Sequence, residues 1–121
     1  MRYIIADPDE KSCADLKKIL DDYEMLDFQG SFTTMEATEN SINKGPLDIA
    51  FIRMGKVELN TYKLASEIRG MNPFSKVILL SNYQAYAVEA FEYEANGFLL
   101  IPYDGEKIEH LLQKWMEKSK D

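Results

Sequence analysis

Residues 47–53 read Leu-Asp-Ile-Ala-Phe-Ile-Arg, and this apolar run is the segment that most clearly indicates the fold. A short, continuous apolar run is typical of a strand that is buried on both faces of a parallel sheet. Arg53 places a permanent positive charge at the end of this predicted central strand. The functional interpretation of the sequence depends on that position.

Other runs of the same kind alternate with helical patterns along the chain. The predicted strands are residues 3–6, 28–32, 48–52, 76–80 and 96–101. The first helix is expected to follow Asp9, because Asp is a strong N-cap residue. Thr33 and Glu36 match a capping box, which predicts a second helix running to residue 44. Further helices are predicted from about residue 60, from residue 84 to 93 and from about residue 104.

Apolar residues recur within these segments at spacings of three and four, which is the pattern of an amphipathic helix. They are Cys13, Leu16, Leu20 and Tyr23 in the first helix; Leu64, Ile68 and Met71 in the third; Ala85, Val88 and Phe91 on one side of the fourth; and Ile108, Leu111, Leu112, Trp115 and Met116 in the last. Five strands alternating with five helices require a parallel sheet covered on both faces. The predicted fold is therefore a doubly wound α/β domain.

The bulk composition narrows the class of protein. A chain of 121 residues fits one domain, and a net charge of −7 argues against direct binding of nucleic acid. No apolar run approaches the ~20 residues of a membrane span, so no membrane association is expected. The single cysteine, Cys13, excludes an internal disulfide and suits a reducing compartment. The N-terminus lacks the pattern of a secretory signal, and a cytoplasmic location is expected.

The residues that follow the predicted strands are the candidates for function, because ligands of such sheets collect at the carboxyl ends of the strands. They are Asp7, Pro8 and Asp9 after the first strand, Arg53, Met54 and Gly55 after the third, Ser81 and Asn82 after the fourth, and Ile101 and Pro102 after the fifth.

The order and spacing of these segments resemble the receiver domain of bacterial two-component response regulators, over nearly the whole chain. Residues 48–52 resemble the third receiver strand, and residues 81–91 resemble the fourth strand end and fourth helix of receivers from transcriptional regulators. Residues 95–102 resemble the fifth strand with its proline, Pro102, before which receivers commonly carry a cis peptide bond. The resemblance implies the flavodoxin-like strand order 2-1-3-4-5. It also implies one receiver-like domain over residues 1–121, and it is compatible with an output domain that follows residue 121 in the natural gene.

The chemistry implied by this resemblance needs five side chains, and several are missing. Receivers use two acids after the first strand to hold Mg²⁺, an acceptor Asp after the third, a hydroxyl after the fourth and a Lys before the proline. Asp7 and Ser81 match this pattern, whereas Pro8, Arg53 and Ile101 replace the second acid, the acceptor and the lysine. We therefore expect neither phosphoryl transfer nor bound Mg²⁺, and no other cofactor.

The substitutions suggest a replacement contact. Without a metal, Asp7 and Asp9 are uncompensated anions, so an ion pair from Arg53 to Asp7 or Asp9 is expected, with an arginine turned into solvent as the alternative. Ser81 is expected to cap the fourth helix, and Phe98 is expected in the core, where receivers place a switching aromatic. Cys13 is interpreted as an inert core thiol, and His110 has no partners at metal-ligand spacing.

The leading hypothesis is a phosphorylation-independent, receiver-like module of bacterial signalling or transcriptional control, without enzymatic activity. It is expected to bind a protein partner or a second copy through the fourth helix, fifth strand and fifth helix. The residues predicted for that face are Tyr83, Tyr86, Glu89, Ala90, Tyr93, Phe98 and Tyr103. Two alternatives remain open at this stage: a doubly wound domain that binds a small ligand in the remnant cleft, and a phosphoacceptor or phosphatase that uses Asp7 or Asp9.

Overall fold

A computed structural model describes residues 1–116 of the chain, although not the side chain of Met116. Five parallel strands lie in the order β2-β1-β3-β4-β5. The strands are β1 (Arg2–Ala6), β2 (Asp27–Phe32), β3 (Ile49–Arg53), β4 (Lys76–Ser81) and β5 (Gly97–Leu100). The helices are α1 (Glu10–Leu20), α2 (Met35–Ile42), α3 (Thr61–Met71), α4 (Tyr86–Glu92) and α5 (Gly105–Met116). The predicted doubly wound α/β fold and its strand order are confirmed.

Two apolar layers cover the sheet, one on each face. Alternate residues of a strand point to opposite faces, so Ile4 and Ala6 join one layer while Tyr3 and Ile5 join the other. The first layer packs against α2, α3 and α4, and the second packs against α1 and α5. All five residues of β3 are buried, as expected for the central strand of a sheet covered on both faces.

Side-chain caps explain where three of the helices begin. Asp9 accepts hydrogen bonds from the backbone N–H groups of Lys11 and Ser12, and Asn60 accepts one from that of Lys63. The second helix is capped by Thr34, which accepts from the N–H of Ala37, so the predicted capping box of Thr33 and Glu36 is wrong and the cap lies one residue later. Such caps satisfy backbone donors that have no partner inside the helix.

One burial prediction is wrong, and the structure shows which side of α4 meets the core. Met71, the last residue of α3, is 44% exposed and does not point into the core as predicted. Val88 and Phe91 of α4 are 69% and 55% exposed, and the side of α4 that meets the core carries Ala90 instead. The predicted inward position of Met116 lies outside the described side chains. Within residues 1–116, no helix is long and apolar enough to cross a membrane.

Candidate functional site

The sheet brings the predicted site residues to one edge. Asp7 directly follows β1, Arg53 is the last residue of β3 and Ser81 is the last residue of β4. Ile101 directly follows β5, and its N–H donates to the carbonyl of Ser81 over 2.8 Å. These positions meet because neighbouring parallel strands end on the same side of the sheet.

Arg53 and Asp7 form a buried ion pair. Arg53 Nη1 lies 3.1 Å from Asp7 Oδ2 and 3.3 Å from Asp7 Oδ1. The exposed fractions of the two side chains are 5% for Arg53 and 0% for Asp7. Asp7 Oδ1 also accepts a hydrogen bond from the N–H of Asp9 over 2.9 Å. The positive and negative charges therefore compensate each other inside the protein, where either alone is very unfavourable.

The backbone around Arg53 is also fixed by a contact that the sequence did not reveal. The hydroxyl of Thr61, at the start of α3, donates to the carbonyl of Arg53 over 2.7 Å in a buried position. The Nε of Arg53 is buried without a hydrogen-bond partner in the part of the chain that the structure describes. A guanidinium carries five donors, and here only one nitrogen meets the carboxylate.

The side chains of Asp9 and Pro8 do not take part in this pair. The Oδ1 atom of Asp9 is occupied by the N–H groups of Lys11 and Ser12, so Asp9 serves as the cap of α1. Pro8 is half-buried and offers no side-chain oxygen. Of the two acids that were considered as partners of Arg53, the structure pairs Asp7 alone with it.

Ser81 and Ile101 complete the edge. Ser81 is buried, and its Oγ accepts from the N–H of Tyr83 over 3.0 Å. The predicted role of Ser81 as the cap of the fourth helix is wrong, because α4 begins after Ala85 and has no side-chain cap. Ile101 is half-buried against the layer that faces α1 and α5, and the peptide bond to Pro102 is cis.

Tyr103 belongs to this site and not to the fourth-helix surface. Its hydroxyl lies 2.9 Å from Ser12 Oγ on α1, a contact between residues far apart in the sequence. Burial raises the pKa of Tyr103 most strongly, the negative charge of Asp7 raises it further, and Ser12 and Arg53 oppose these effects. The loop after β5 is thus attached to α1 beside the ion pair.

The thiol of Cys13, on α1, is buried next to the same edge of the sheet. Its Sγ is 3.4 Å from the carbonyl oxygen of Asp7. Burial first, and then the negative charges of Asp7 and Asp9, raise the pKa of Cys13 to about 11. A thiol with so high a pKa is almost fully protonated near neutral pH and is a poor nucleophile.

The residues predicted for the interaction face fall into three groups. Tyr83 and Tyr93 are 63% and 50% exposed, and Glu89 is exposed as well. Tyr86 and Phe98 are half-buried and pack against the layer that faces α2, α3 and α4. Ala90 has no exposed surface, so its predicted place on the face is wrong, because it is the residue by which α4 meets the core.

Val88 and Phe91 occupy the surface instead, and the sequence pattern had not assigned them to it. We define the α4–β5–α5 surface by Val88, Phe91, Glu92, Lys107, His110 and Lys114. A cavity of about 220 Å³ beside β5 is lined in part by Phe91, Lys107, His110 and Lys114. On this surface α4 carries the acidic Glu92 and the exposed apolar Val88 and Phe91, and α5 carries the basic Lys107 and Lys114.

A larger cavity, of about 490 Å³, lies between the loop after β3 and α4. It is lined by Met54, Gly55, Lys56, Val57, Leu59, Asn60, Thr61, Tyr62 and Glu89. Neither Asp7 nor Arg53 lines this cavity, so it does not coincide with the cleft in which a small ligand had been considered.

The chain is similar to known regulators along most of its length. It is 23% identical over 118 residues to the sensory transduction protein LytT of Bacillus anthracis, which covers 98% of this chain and 48% of that protein. It is 25% identical over 114 residues to protein MrkE of Klebsiella pneumoniae, covering 94% of this chain and 42% of that protein. The chain thus spans about half the length of the curated relatives it matches. No protein-family model matches the chain.

Solved receiver structures share the fold. The crystal structure of the response regulatory domain of protein MrkE from Klebsiella pneumoniae superposes with a TM-score of 0.83 at 24% identity, covering 98% of this chain and 97% of that one. The BeF3-activated DrrB receiver domain gives a TM-score of 0.79 at 17% identity, covering 96% of this chain and 97% of that one. The resemblance to receiver domains is confirmed, and the fold is that of receivers of response regulators.

Proposed function

We propose that this receiver-like domain is a protein-interaction module of bacterial signalling that works without phosphoryl transfer. The observation that carries the proposal is the buried ion pair between Arg53 and Asp7. It occupies the edge of the sheet at which a receiver would hold its metal and its acceptor carboxylate. The domain is proposed to be a binding module and not an enzyme.

The first support is the absence of a suitable acceptor at the end of β3. An acyl phosphate forms on a carboxylate, and the side chain at this position is a guanidinium. Asp7 is no substitute, because its side chain is fully buried and held by Arg53 and by the N–H of Asp9. Ile101 adds no positive charge that would pair with a phosphoryl group.

The second support is a poor fit for Mg²⁺. This ion requires near-octahedral coordination by hard oxygen ligands. Here the guanidinium lies 3.1 Å from the buried carboxylate of Asp7, and the Oδ1 atom of Asp9 is used by backbone donors. Within residues 1–116, no three His, Cys, Asp or Glu side chains cluster in a way that could hold a metal ion. The residues present therefore do not fit the metal of a receiver.

The third support concerns the partner. The α4–β5–α5 surface combines exposed apolar residues, Val88 and Phe91, with the acidic Glu92 of α4 and the basic Lys107 and Lys114 of α5. A second copy related by a two-fold axis would allow Glu92 of one chain to approach these lysines of the other. We therefore propose a homodimer through this surface, with another protein as the alternative partner. Direct nucleic-acid binding is not proposed, because the net charge is −7.

Self-association tests the proposed surface. Val88→Glu places a negative charge in its apolar centre and is expected to lower the fraction of dimer measured by analytical ultracentrifugation. Val57→Glu is the matched control, because Val57 is 102% exposed in the loop after β3 and lies outside this surface. A dimer whose fraction falls equally in Val88→Glu and Val57→Glu would contradict the proposed surface. The surface would also be contradicted if the wild-type chain is monomeric and no protein partner binds it in a way that Val88→Glu prevents.

A further inference from the structure

The helix α4 has few of the features that usually stabilise a helix. It has seven residues, and Ala90 is its only buried one. Its N-cap residue, Ala85, offers no side-chain hydrogen bond to the first turn. At the other end, Glu94 has a φ of 63°, a conformation that costs free energy for any residue other than glycine. Short helices without a side-chain N-cap or deep packing are marginal on their own.

Contacts from α3 compensate for this weakness. The ring of Tyr62 stacks on that of Tyr93, with a centroid distance of 3.7 Å and an interplanar angle of 16°. The hydroxyl of Tyr62 donates to Glu89 Oε2 over 2.9 Å. Arg69, about two turns further along the same side of α3, donates from Nη2 to the carbonyl of Glu94 over 2.7 Å. The middle and the C-terminal end of α4 are thus attached to α3.

We infer that Tyr62 controls the position of α4, so that α4 is ordered while Tyr62 contacts Glu89 and Tyr93 and becomes mobile when those contacts are lost. A single side chain makes both contacts, which couples them. Burial and the hydrogen bond to Glu89 raise the pKa of Tyr62, in agreement with a hydroxyl that acts as the donor. This control of α4 by Tyr62 rests on the proposed function in one respect only, which is that α4 carries part of the proposed contact surface.

The same helix is connected to the ion-pair edge. A Cβ atom built on Gly55 would lie 3.3 Å from the ring of Tyr86, so the loop two residues after Arg53 packs directly against the first turn of α4. Gly55 has a φ of 77°, which is readily available only to glycine. The start of α4 therefore follows the loop after β3, while its later part follows Tyr62. Release of Tyr62 is expected to loosen the later part first.

Hydrogen exchange measured by mass spectrometry tests the inference. Tyr62→Leu removes both the stack and the hydrogen bond, and the expected result is exchange of residues 86–95 about tenfold faster, with the strand amides unchanged. Tyr62→Phe removes only the hydrogen bond and is expected to give a smaller increase, of about threefold, over the same residues.

Tyr23→Leu is the matched control, because Tyr23 is also half-buried but packs on the opposite face of the sheet. The inference would be overturned if Tyr62→Leu left the hydrogen exchange of residues 86–95 unchanged. It would also be overturned if Tyr62→Leu raised the exchange of all elements to the same extent as Tyr23→Leu does. If Tyr62→Leu does not fold, the selective increase in Tyr62→Phe decides in the same way.

The measurement is made on dilute, monomeric protein, so that it is independent of the proposed dimer. A selective increase in Tyr62→Leu together with no effect of Val88→Glu on association would support the control by Tyr62 while contradicting the proposed surface. The two proposals therefore fail separately.

Discussion

Replacing Arg53 with methionine tests the energetic role of the buried pair. Methionine keeps an unbranched apolar chain but removes the guanidinium, which leaves Asp7 as an uncompensated charge with no exposed surface. At the 3.1 Å separation of Nη1 and Oδ2, an effective dielectric constant of about 20 gives a gross attraction of roughly 5 kcal/mol. Desolvation of both groups offsets much of this attraction, so the net contribution of the intact pair is small.

The expected cost of the single substitution is nevertheless large. Removing one partner of a buried pair usually destabilises a protein by about 3–5 kcal/mol, because the remaining charge stays buried. That loss is a sizeable part of the roughly 5–15 kcal/mol by which a domain of this size is stable. Restoring neutrality with Asp7→Asn in the Arg53→Met background is expected to recover part of the loss, with a coupling of about 1–3 kcal/mol between the two sites.

The assay is urea denaturation at pH 7, followed by far-UV circular dichroism and by the fluorescence of Trp115, for the wild type, both single variants and the double variant. Lys11→Met is the matched control, because Lys11 forms an ion pair with Asp15 whose side chains are 84% and 52% exposed. That control is expected to shift the midpoint very little. The reasoning would be refuted by a urea midpoint of Arg53→Met that is as high as that of Lys11→Met. It would also be refuted if the free-energy changes of the two single substitutions added up to that of the double variant.

Three further predictions concern residues near the same edge. Thr61→Val removes the buried hydrogen bond to the carbonyl of Arg53 and is expected to lower the free energy of unfolding by about 1–3 kcal/mol, measured by the same denaturation; an unchanged midpoint would contradict that role. Because burial raises the pKa of Cys13 from 9.0 to about 11, unfolding releases a proton between those values, and stability is expected to fall as pH rises from about 9 to 11. The Cys13→Ala variant is expected to show a shallower decline over that range, and equal slopes would contradict the assignment. Native Cys13 is also expected to resist alkylation near neutral pH and to react once the protein is unfolded in urea, whereas rapid labelling of the folded protein would show an accessible thiolate.

Much of the fold could be predicted from the sequence, because its strands are short apolar runs separated by turn residues and helical patterns. The meeting of Arg53 and Asp7 followed from the strand order that the resemblance to receivers implies, since β1 and β3 are neighbours whose carboxyl ends coincide. The choice between Asp7 and Asp9 was not predictable, because it depends on backbone donors of α1 that occupy Asp9.

Helical spacing did not reveal the orientation of α4. Spacing shows which residues share a side of a helix, but it does not show which side meets the core. In a helix of seven residues, the small side chain of Ala90 allows close approach to the sheet, and this leaves Val88 and Phe91 outside. The contact of Tyr103 with Ser12 was equally hidden, because it joins residues 91 positions apart through the folded structure alone.

Exposure to a phosphoryl donor tests the central claim most directly. The wild-type chain is incubated with acetyl phosphate and Mg²⁺, and its intact mass is measured. In a second experiment, amide NMR spectra are recorded while the chain is titrated with Mg²⁺ and beryllofluoride. The account predicts no added phosphoryl group and no spectral change at Asp7, Arg53 or Ser81, because the guanidinium of Arg53 occupies the place beside the buried carboxylate. A stable mass increase of one phosphoryl group, or saturable spectral changes at those residues, would contradict it.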